Sequence, residues 1–160
     1  MFKEIIEMHK IFGTNEGVEY VHRKGAYLIP VKDHCIGIVQ TPKGYFLLGG
    51  GMDNGETDTM CIMRECMEET GYSVLIKKKI CSAETYAKHP VIGYFHPIQT
   101  YYLGELLEQK QAPVESDHKL IWMDYDSLRG RMFLEMQNWA LEQIGRDCVN
   151  SCRNHYESTI

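Results

Sequence analysis

Three glutamates, Glu65, Glu68 and Glu69, stand at i, i+3 and i+4 inside the stretch GGMDNGETDTMCIMRECMEETG, residues 50 to 71. On a helix that spacing places all three carboxylates on one face. Like charges so placed repel by about 0.2–0.5 kcal/mol per pair. A solvated acidic face is the ordinary explanation of such a triplet. Here more surrounds it. Gly49, Gly50 and Gly51 precede the segment, Arg64 is embedded among the acids and flanks Glu68, and Gly71 closes the segment. Converging carboxylates make an oxygen-ligand site for a hard cation, and magnesium suits it because that ion keeps waters and accepts substrate phosphates. The cation neutralises the acids and bridges them to an anionic substrate.

The flanking sequence says which elements must hold these residues. Residues 2 to 8 and 18 to 22 read as short strands around the polar turn GTNEG. AYLIPV and CIGIVQT read as strands separated by KDH. TPKG is a turn, and YFLL is a strand that runs into the three glycines, which admit backbone geometry closed to other residues. The acidic segment is a helix with Thr57 as N-cap, Asp58 in its first turn and Gly71 as its stop. Thr59, Ile62, Met63 and Cys66 form its stripe for packing on a sheet. Further strands follow from YSVLIKKKI to about Tyr86, in YFHPIQTYYLGEL and in KLIWMDY, with AKHPVIG as a loop. A last helix is expected from about Ser127 to Ile144, with Leu128, Met132, Phe133, Met136 and Trp139 at helical spacing. Mixed strands with helices from two places predict an α/β/α sandwich, a single domain over 1–145 followed by a polar tail over 146–160.

The run G-x5-E-x7-R-E-U-x-E-E-x-G-U, with U a bulky apolar residue, is supplied here by Gly50, Glu56, Arg64, Glu65, Cys66, Glu68, Glu69, Gly71 and Tyr72. It resembles the signature of the Nudix hydrolases. Cys66 and Tyr72 are less usual at the apolar positions than aliphatics, and Leu48 stands where many members carry proline. The resemblance implies a mixed-sheet α/β/α fold and hydrolysis of a diphosphate linked to another moiety, with Mg2+ or Mn2+ required. It implies that Glu65, Glu68 and Glu69 carry metal together with the carbonyl of Gly50, that Arg64 orients the carboxylates and that Glu56 holds Arg64. The general base stays open between a box glutamate and an acid of a later loop. Glu115 and Asp117, in APVESDHKLIW, are the outside candidates, each weighed against a solvated loop acid. His118, His89 and His96 are candidates for phosphate contact.

The signature says little about the group attached to the diphosphate. Pro90 and Tyr86 lie near positions associated with ADP-ribose and dinucleoside polyphosphate hydrolases. Tyr86, Tyr94, Phe95 and Tyr101 are candidates to stack a base or to be core. A compact single domain resembles the nucleoside triphosphate pyrophosphatase branch, which includes enzymes acting on oxidised nucleotides. The alternatives are an ADP-ribose or dinucleoside polyphosphate hydrolase, a non-catalytic nucleotide-binding regulatory module, and an RNA-end activity.

Composition bounds these readings. The 160 residues carry 17 basic and 22 acidic side chains, for a formal charge of −5. That balance argues against a grip on long nucleic acid. Hydrophobic residues make up 44% and charged residues 24%, ordinary values for a globular chain. No apolar run is long enough for a membrane span, and MFKEIIEMHK is too charged for a signal peptide. A cytoplasmic chain with thiols in a reducing medium is expected, and a homodimer stays open. Cys148, Cys152 and His155 can be drawn as a metal site, against the simpler reading of a helix end with scattered thiols.

Overall fold

The computed structural model describes residues 7–150. Within them the chain runs β1 (His9–Phe12), β2 (Val21–Lys32), β3 (Cys35–Thr41), β4 (Gly44–Phe46), β5 (Leu48–Gly51) and α1 (Asp58–Thr70). It continues with β6 (Tyr72–Thr85), β7 (Ala87–His89), β8 (Gly93–Gln109), β9 (Lys119–Asp124), α2 (Tyr125–Leu128) and α3 (Glu135–Asn150). The strand expected over residues 2 to 8 and the group Cys148, Cys152 and His155 fall wholly or partly outside the described residues. No disulfide joins the cysteines among the described residues.

The main path of the sheet is β1-β6-β8-β2-β3-β4, with β5 on β2, β7 on β8 and β9 on β3. β2 runs parallel to β8 from Val21 opposite Phe95 to Pro30 opposite Gly104, while β5 and β3 join β2 antiparallel. The sheet is therefore mixed. Of the strand expected over 18 to 22 only Val21 and His22 are extended, and the long partner β8 explains why they join 26 to 31: one ladder runs from Val21 to Pro30. AKHPVIG likewise contains β7, which pairs back onto β8.

Side chains alternate across a strand, and along β2 this sends Ala26 and Leu28 to one face, Ile29 and Val31 to the other. The first face packs Val39, Leu48, Cys61, Ile62 and Cys66, bringing α1 onto the sheet. The second packs Ile36, Ile38, Tyr101, Met136, Ala140 and Leu141, bringing α3 onto the opposite side. The result is an α/β/α sandwich. Each fully buried Leu or Ile contributes about 1.5–3 kcal/mol.

α1 has the expected caps. Thr57 accepts a hydrogen bond from the Met60 N–H, and Gly71, at φ 76°, donates to the Met67 carbonyl. Its buried side is Cys61, Ile62, Cys66, Glu69 and Thr70. Thr59 and Met63, expected on the apolar stripe, are exposed. The helix is rotated from the expected face, so that one of the three glutamates, Glu69, points inward.

The single helix expected from Ser127 to Ile144 is two. α2 is one turn, capped by Asp124. Gly130, at φ 75°, then breaks the run. Asn138 accepts from the Met132 N–H and donates to its carbonyl, which holds the intervening turn. Leu128, Met132 and Met136 are core, as their spacing implied, but Phe133 is exposed. α3 continues through residues 146–150, around a non-helical Gly145, with Val149 buried.

Candidate metal centre and adjoining cleft

β5 delivers the three glycines and α1 delivers the glutamates, and the two elements meet at Gly50. A side-chain carbon at Gly50 would lie 2.5 Å from Cδ of Glu65, so only glycine admits the carboxylate there. The Gly50 carbonyl accepts from the Cys61 thiol at 3.3 Å. Next to it the carbonyl of Gly51 accepts from Arg64 Nη2 at 3.0 Å.

Arg64 organises the acids. It takes Glu56 with two nitrogens at 2.8 Å each. Nη1 reaches Glu65 at 2.8 Å and Glu68 at 3.4 Å, and Nε lies 3.3 Å from Asp53. Glu56 in turn accepts from the Asp53 N–H at 2.7 Å. These bonds to the charged form, Arg64 foremost, hold the Glu56 carboxyl down to about 2. Planar fork-to-fork pairing of this kind fixes orientation as well as charge. The structure thus brings Glu56, Arg64, Glu65 and Glu68 together.

Glu69 is held differently. It is buried, and one oxygen accepts from the Gly49 N–H at 2.8 Å. Its other oxygen lies 3.4 Å from His118 Nδ1, which also touches Glu115. Burial drives the Glu69 carboxyl well above its usual range, opposed by the Gly49 bond and assisted by the charges of Glu65, Glu115 and Glu68. Burial also raises Glu65, against the pull of Arg64.

The loop before β9 supplies Glu115 because α1 holds it. The Val114 N–H bonds the Glu68 carbonyl at 2.8 Å, and the Lys110 N–H bonds that of Gly71 at 2.8 Å. Of the two outside acids, Glu115 reaches the glutamates. Asp117 does not: it is largely exposed, and its closest ion pair is to His118 Nε2 at 3.9 Å. Of the histidines, His118 joins the acids. His96 is buried between His22 and Glu84 and stacked on Tyr86, and His89 Nδ1 accepts from the N–H groups of its own turn.

These residues fit a divalent cation. Glu69, Glu115 and His118 offer ligand atoms that all lie within 4.8 Å of one another. In the same group Glu115 Oε2 and His118 Nδ1 are shut off from solvent and pair with each other, and His118 Nδ1 also lies 3.4 Å from Glu69. Buried carboxylates without a counter-charge are costly, and a cation supplies one.

A cleft of about 780 Å3 opens at Gly51. Phe12, Tyr27, Phe95 and Phe133 give it ring surface, and Arg23, Lys24, Lys43 and Lys88 give it positive charge. Sequence reasoning found only Phe95 of these. Of the other stacking candidates, Tyr101 is core, and Tyr86 and Tyr94 pack on Tyr20. Arg23 lies against Gly51, where a side-chain carbon would come within 2.3 Å of its guanidinium. Nothing local marks Arg23 as a site residue. It reaches Gly51 because β2 and β5 are paired.

No helix among the described residues is long and apolar enough to cross a membrane. The NUDIX domain model matches residues 19–144. Among curated proteins the comparison finds no match. Among solved structures, the chain is similar to a MutT NUDIX hydrolase from Burkholderia pseudomallei, with 23% identity over 78% of this chain and 98% of that one, at TM-score 0.66. It is similar to the ORF135 protein of E. coli, with 17% identity over 89% and 99%, at TM-score 0.64. It is also similar to an ADP-ribose pyrophosphatase from Streptococcus suis, with 18% identity over 84% and 94%, at TM-score 0.57. At these identities the likeness is one of fold. The family model, which spans most of the chain and contains the whole glutamate helix, decides the rest: the chain belongs to the NUDIX domain family and is a diphosphate hydrolase.

Proposed function

We propose that the substrate is a nucleoside triphosphate, cleaved to the monophosphate and pyrophosphate, with oxidised nucleotides among those accepted. The observation that carries this reading is a cleft with aromatic walls and four cations whose lining includes Gly51, the residue whose carbonyl Arg64 holds. Its volume is that of a small-molecule site. Its rings suit a base, and its cations suit a phosphate chain in a protein that is otherwise acidic.

In this reading Glu65, Glu68 and Glu69, with the Gly50 carbonyl, hold Mg2+ or Mn2+. Such an ion, when bound, polarises phosphoryl oxygens and makes a water more acidic. Arg64 keeps the carboxylates in place, and Glu56 keeps Arg64. Arg23 and Lys24, which line the cleft, meet the phosphates, and Phe95 and Tyr27 flank the base. The attacking water forms a new bond to a phosphorus of the α,β-anhydride while that phosphorus's bond to the bridging oxygen breaks. Its proton passes to a carboxylate, for which Glu115 is the outside candidate that reaches the cluster. A cytoplasmic location fits a free-nucleotide substrate.

A second reading, ADP-ribose or a dinucleoside polyphosphate, is favoured by Pro90 and His89, which also line the cleft. One experiment separates the two. Nucleoside triphosphates, ADP-ribose, dinucleoside polyphosphates and capped RNA are incubated with enzyme and magnesium, and products are resolved by phosphorus NMR. Pyrophosphate as the first product from a triphosphate is expected. Orthophosphate as the first product, or preference for ADP-ribose, shows the other branch.

A further inference from the structure

One backbone N–H sets the direction of a relay of side chains that ends in the cleft. The Leu47 N–H donates to Gln137 Oε1 at 2.9 Å. A backbone N–H can only donate, so Gln137 gives its oxygen to Leu47 and turns its Nε2 the other way. That Nε2 donates to Gln99 Oε1 at 3.1 Å, and the Tyr101 hydroxyl donates to the same oxygen at 2.8 Å. With its oxygen so engaged, Gln99 presents Nε2 to the Tyr27 hydroxyl, 3.3 Å away. The Tyr27 oxygen is therefore an acceptor towards the protein, and its own proton meets no acceptor among the described residues.

Packing holds the relay in this sense. Gln137, Tyr101 and Gln99 are buried. The links come from four places: Leu47 precedes β5, Gln137 is on α3, Gln99 and Tyr101 are on β8, and Tyr27 is on β2 opposite Tyr101. Reversing one amide would set donor against donor away from water, where an unmade hydrogen bond is costly. Gln99 and Tyr27 line the cleft. The Tyr27 ring also packs on Gly49, where a side-chain carbon would lie 2.8 Å from Cδ1. Burial, with the charges of Glu69 and Glu65 adding to it, raises the phenol well above its usual range and keeps its proton in place.

From this relay we propose that the Tyr27 hydroxyl is the specificity-determining donor of the cleft, and that it selects a nucleobase carrying an exocyclic oxo group over its amino counterpart. An oxo oxygen accepts the Tyr27 proton. An amino group in the same place sets donor against donor and leaves both unpaired. A site built to hydrogen-bond one member of such a pair discriminates far more strongly than shape alone allows. The proposal rests on the nucleotide reading of the cleft and deepens it, since it names which bases enter. A relay that served stability alone would leave the choice of base untouched.

The test is the ratio of kcat/KM within matched pairs that exchange an amino group for oxo, measured on the full chain with magnesium. The pairs are inosine against adenosine triphosphate and uridine against cytidine triphosphate. In wild type the oxo member of at least one pair is expected to be preferred by at least about tenfold. Tyr27→Phe keeps the ring and removes the proton, and should bring that ratio to within about threefold of unity. Gln99→Glu offers a carboxylate to which Gln137, Tyr101 and Tyr27 can all donate, so the Tyr27 proton turns away from the cleft. The ratio should collapse in the same way, and this variant decides if the first does not fold. No oxo preference in wild type overturns the proposal, as does a preference that survives in either folded variant. Pyrophosphate released equally from both members of both pairs overturns the proposal and spares the triphosphate reading. If no triphosphate is cleaved, ADP-ribose and its hypoxanthine analogue take their place. A preference for the analogue that the variants lose then keeps the Tyr27 assignment and ends the triphosphate reading, and equal rates end both.

Discussion

Arg64 grips Glu56 with two nitrogens, Nε 2.8 Å from Oε2 and Nη2 2.8 Å from Oε1, and with its remaining reach holds Glu65. One guanidinium therefore sets the position of a carboxylate that faces Gly50. Lysine carries the same charge but not the fork. Arg64→Lys is expected to lower kcat by about 10–100-fold, the usual effect of losing a partner that orients a metal ligand. Steady-state kinetics on a protein with an unchanged circular dichroism spectrum measures it.

Glu115 and Asp117 are separated by the structure, since Glu115 shares His118 Nδ1 with Glu69 while Asp117 lies on the far side of the ring, 3.9 Å from Nε2. Single-turnover rates should fall at least about tenfold in Glu115→Gln, with little change in substrate affinity. Asp117→Asn should stay within about threefold of wild type, because the side chain is largely exposed. Equal effects would refute the assignment.

The metal-free protein should prefer acid. Glu65 and Glu69 have carboxyls raised above the ordinary 4.5. A raised carboxyl contributes stability that is present below 4.5 and is lost as pH rises through the folded value. Glu56 has the opposite sign, its contribution being lost only as pH falls towards about 2. Melting in chelator is therefore expected to become easier between pH 5 and 8, and divalent metal should offset the loss most at the higher pH. Glu69→Gln removes a buried charge while its amide oxygen can keep the Gly49 bond. It should stabilise the metal-free protein by at least about 0.5 kcal/mol, the scale of one or two like-charge pairs. Glu68→Gln, half-exposed and beside Arg64, should change stability less. Both should abolish the gain from metal and most of the turnover.

The cleft should act on KM. Phe95→Ala removes ring surface from its wall, and stacking of a base on an aromatic side chain contributes about 1–3 kcal/mol. KM for the triphosphate should rise by roughly 5–150-fold, with kcat less affected. An unchanged KM would place the base elsewhere.

Gly71 couples the helix to the loop that carries Glu115. Its φ is 76°, and a side-chain carbon there would lie 1.8 Å from the Gln111 carbonyl oxygen. Gly71→Ala is expected to cost at least about 1 kcal/mol and to lower activity beyond what the lost stability explains, because the loop must move. Chemical denaturation with a parallel rate measurement tests both parts.

The sequence alone determined the glutamate helix and its caps at Thr57 and Gly71, and the resemblance carried by its Gly50-to-Tyr72 pattern implied the partnership of Arg64 with Glu56 and the glutamates. Helical spacing, capping chemistry and the Gly50-to-Tyr72 pattern are local, so they can be read without knowing the fold. It did not separate Thr59 and Met63 from Cys61 as packing residues, since neighbouring arcs of a short helix differ little in apolar character. It suggested one C-terminal helix because the spacing of Leu128, Met132 and Met136 survives a break that Gly130 and Asn138 impose. Only the tertiary structure decided that Glu115 and not Asp117 meets the acids, that His118 joins them, and that Arg23, Phe12, Tyr27 and Phe133 build the cleft. Those residues come from distant parts of the chain. What unites them is strand register, the packing of α1 and α3 on opposite faces, and backbone bonds from the loop to Glu68 and Gly71.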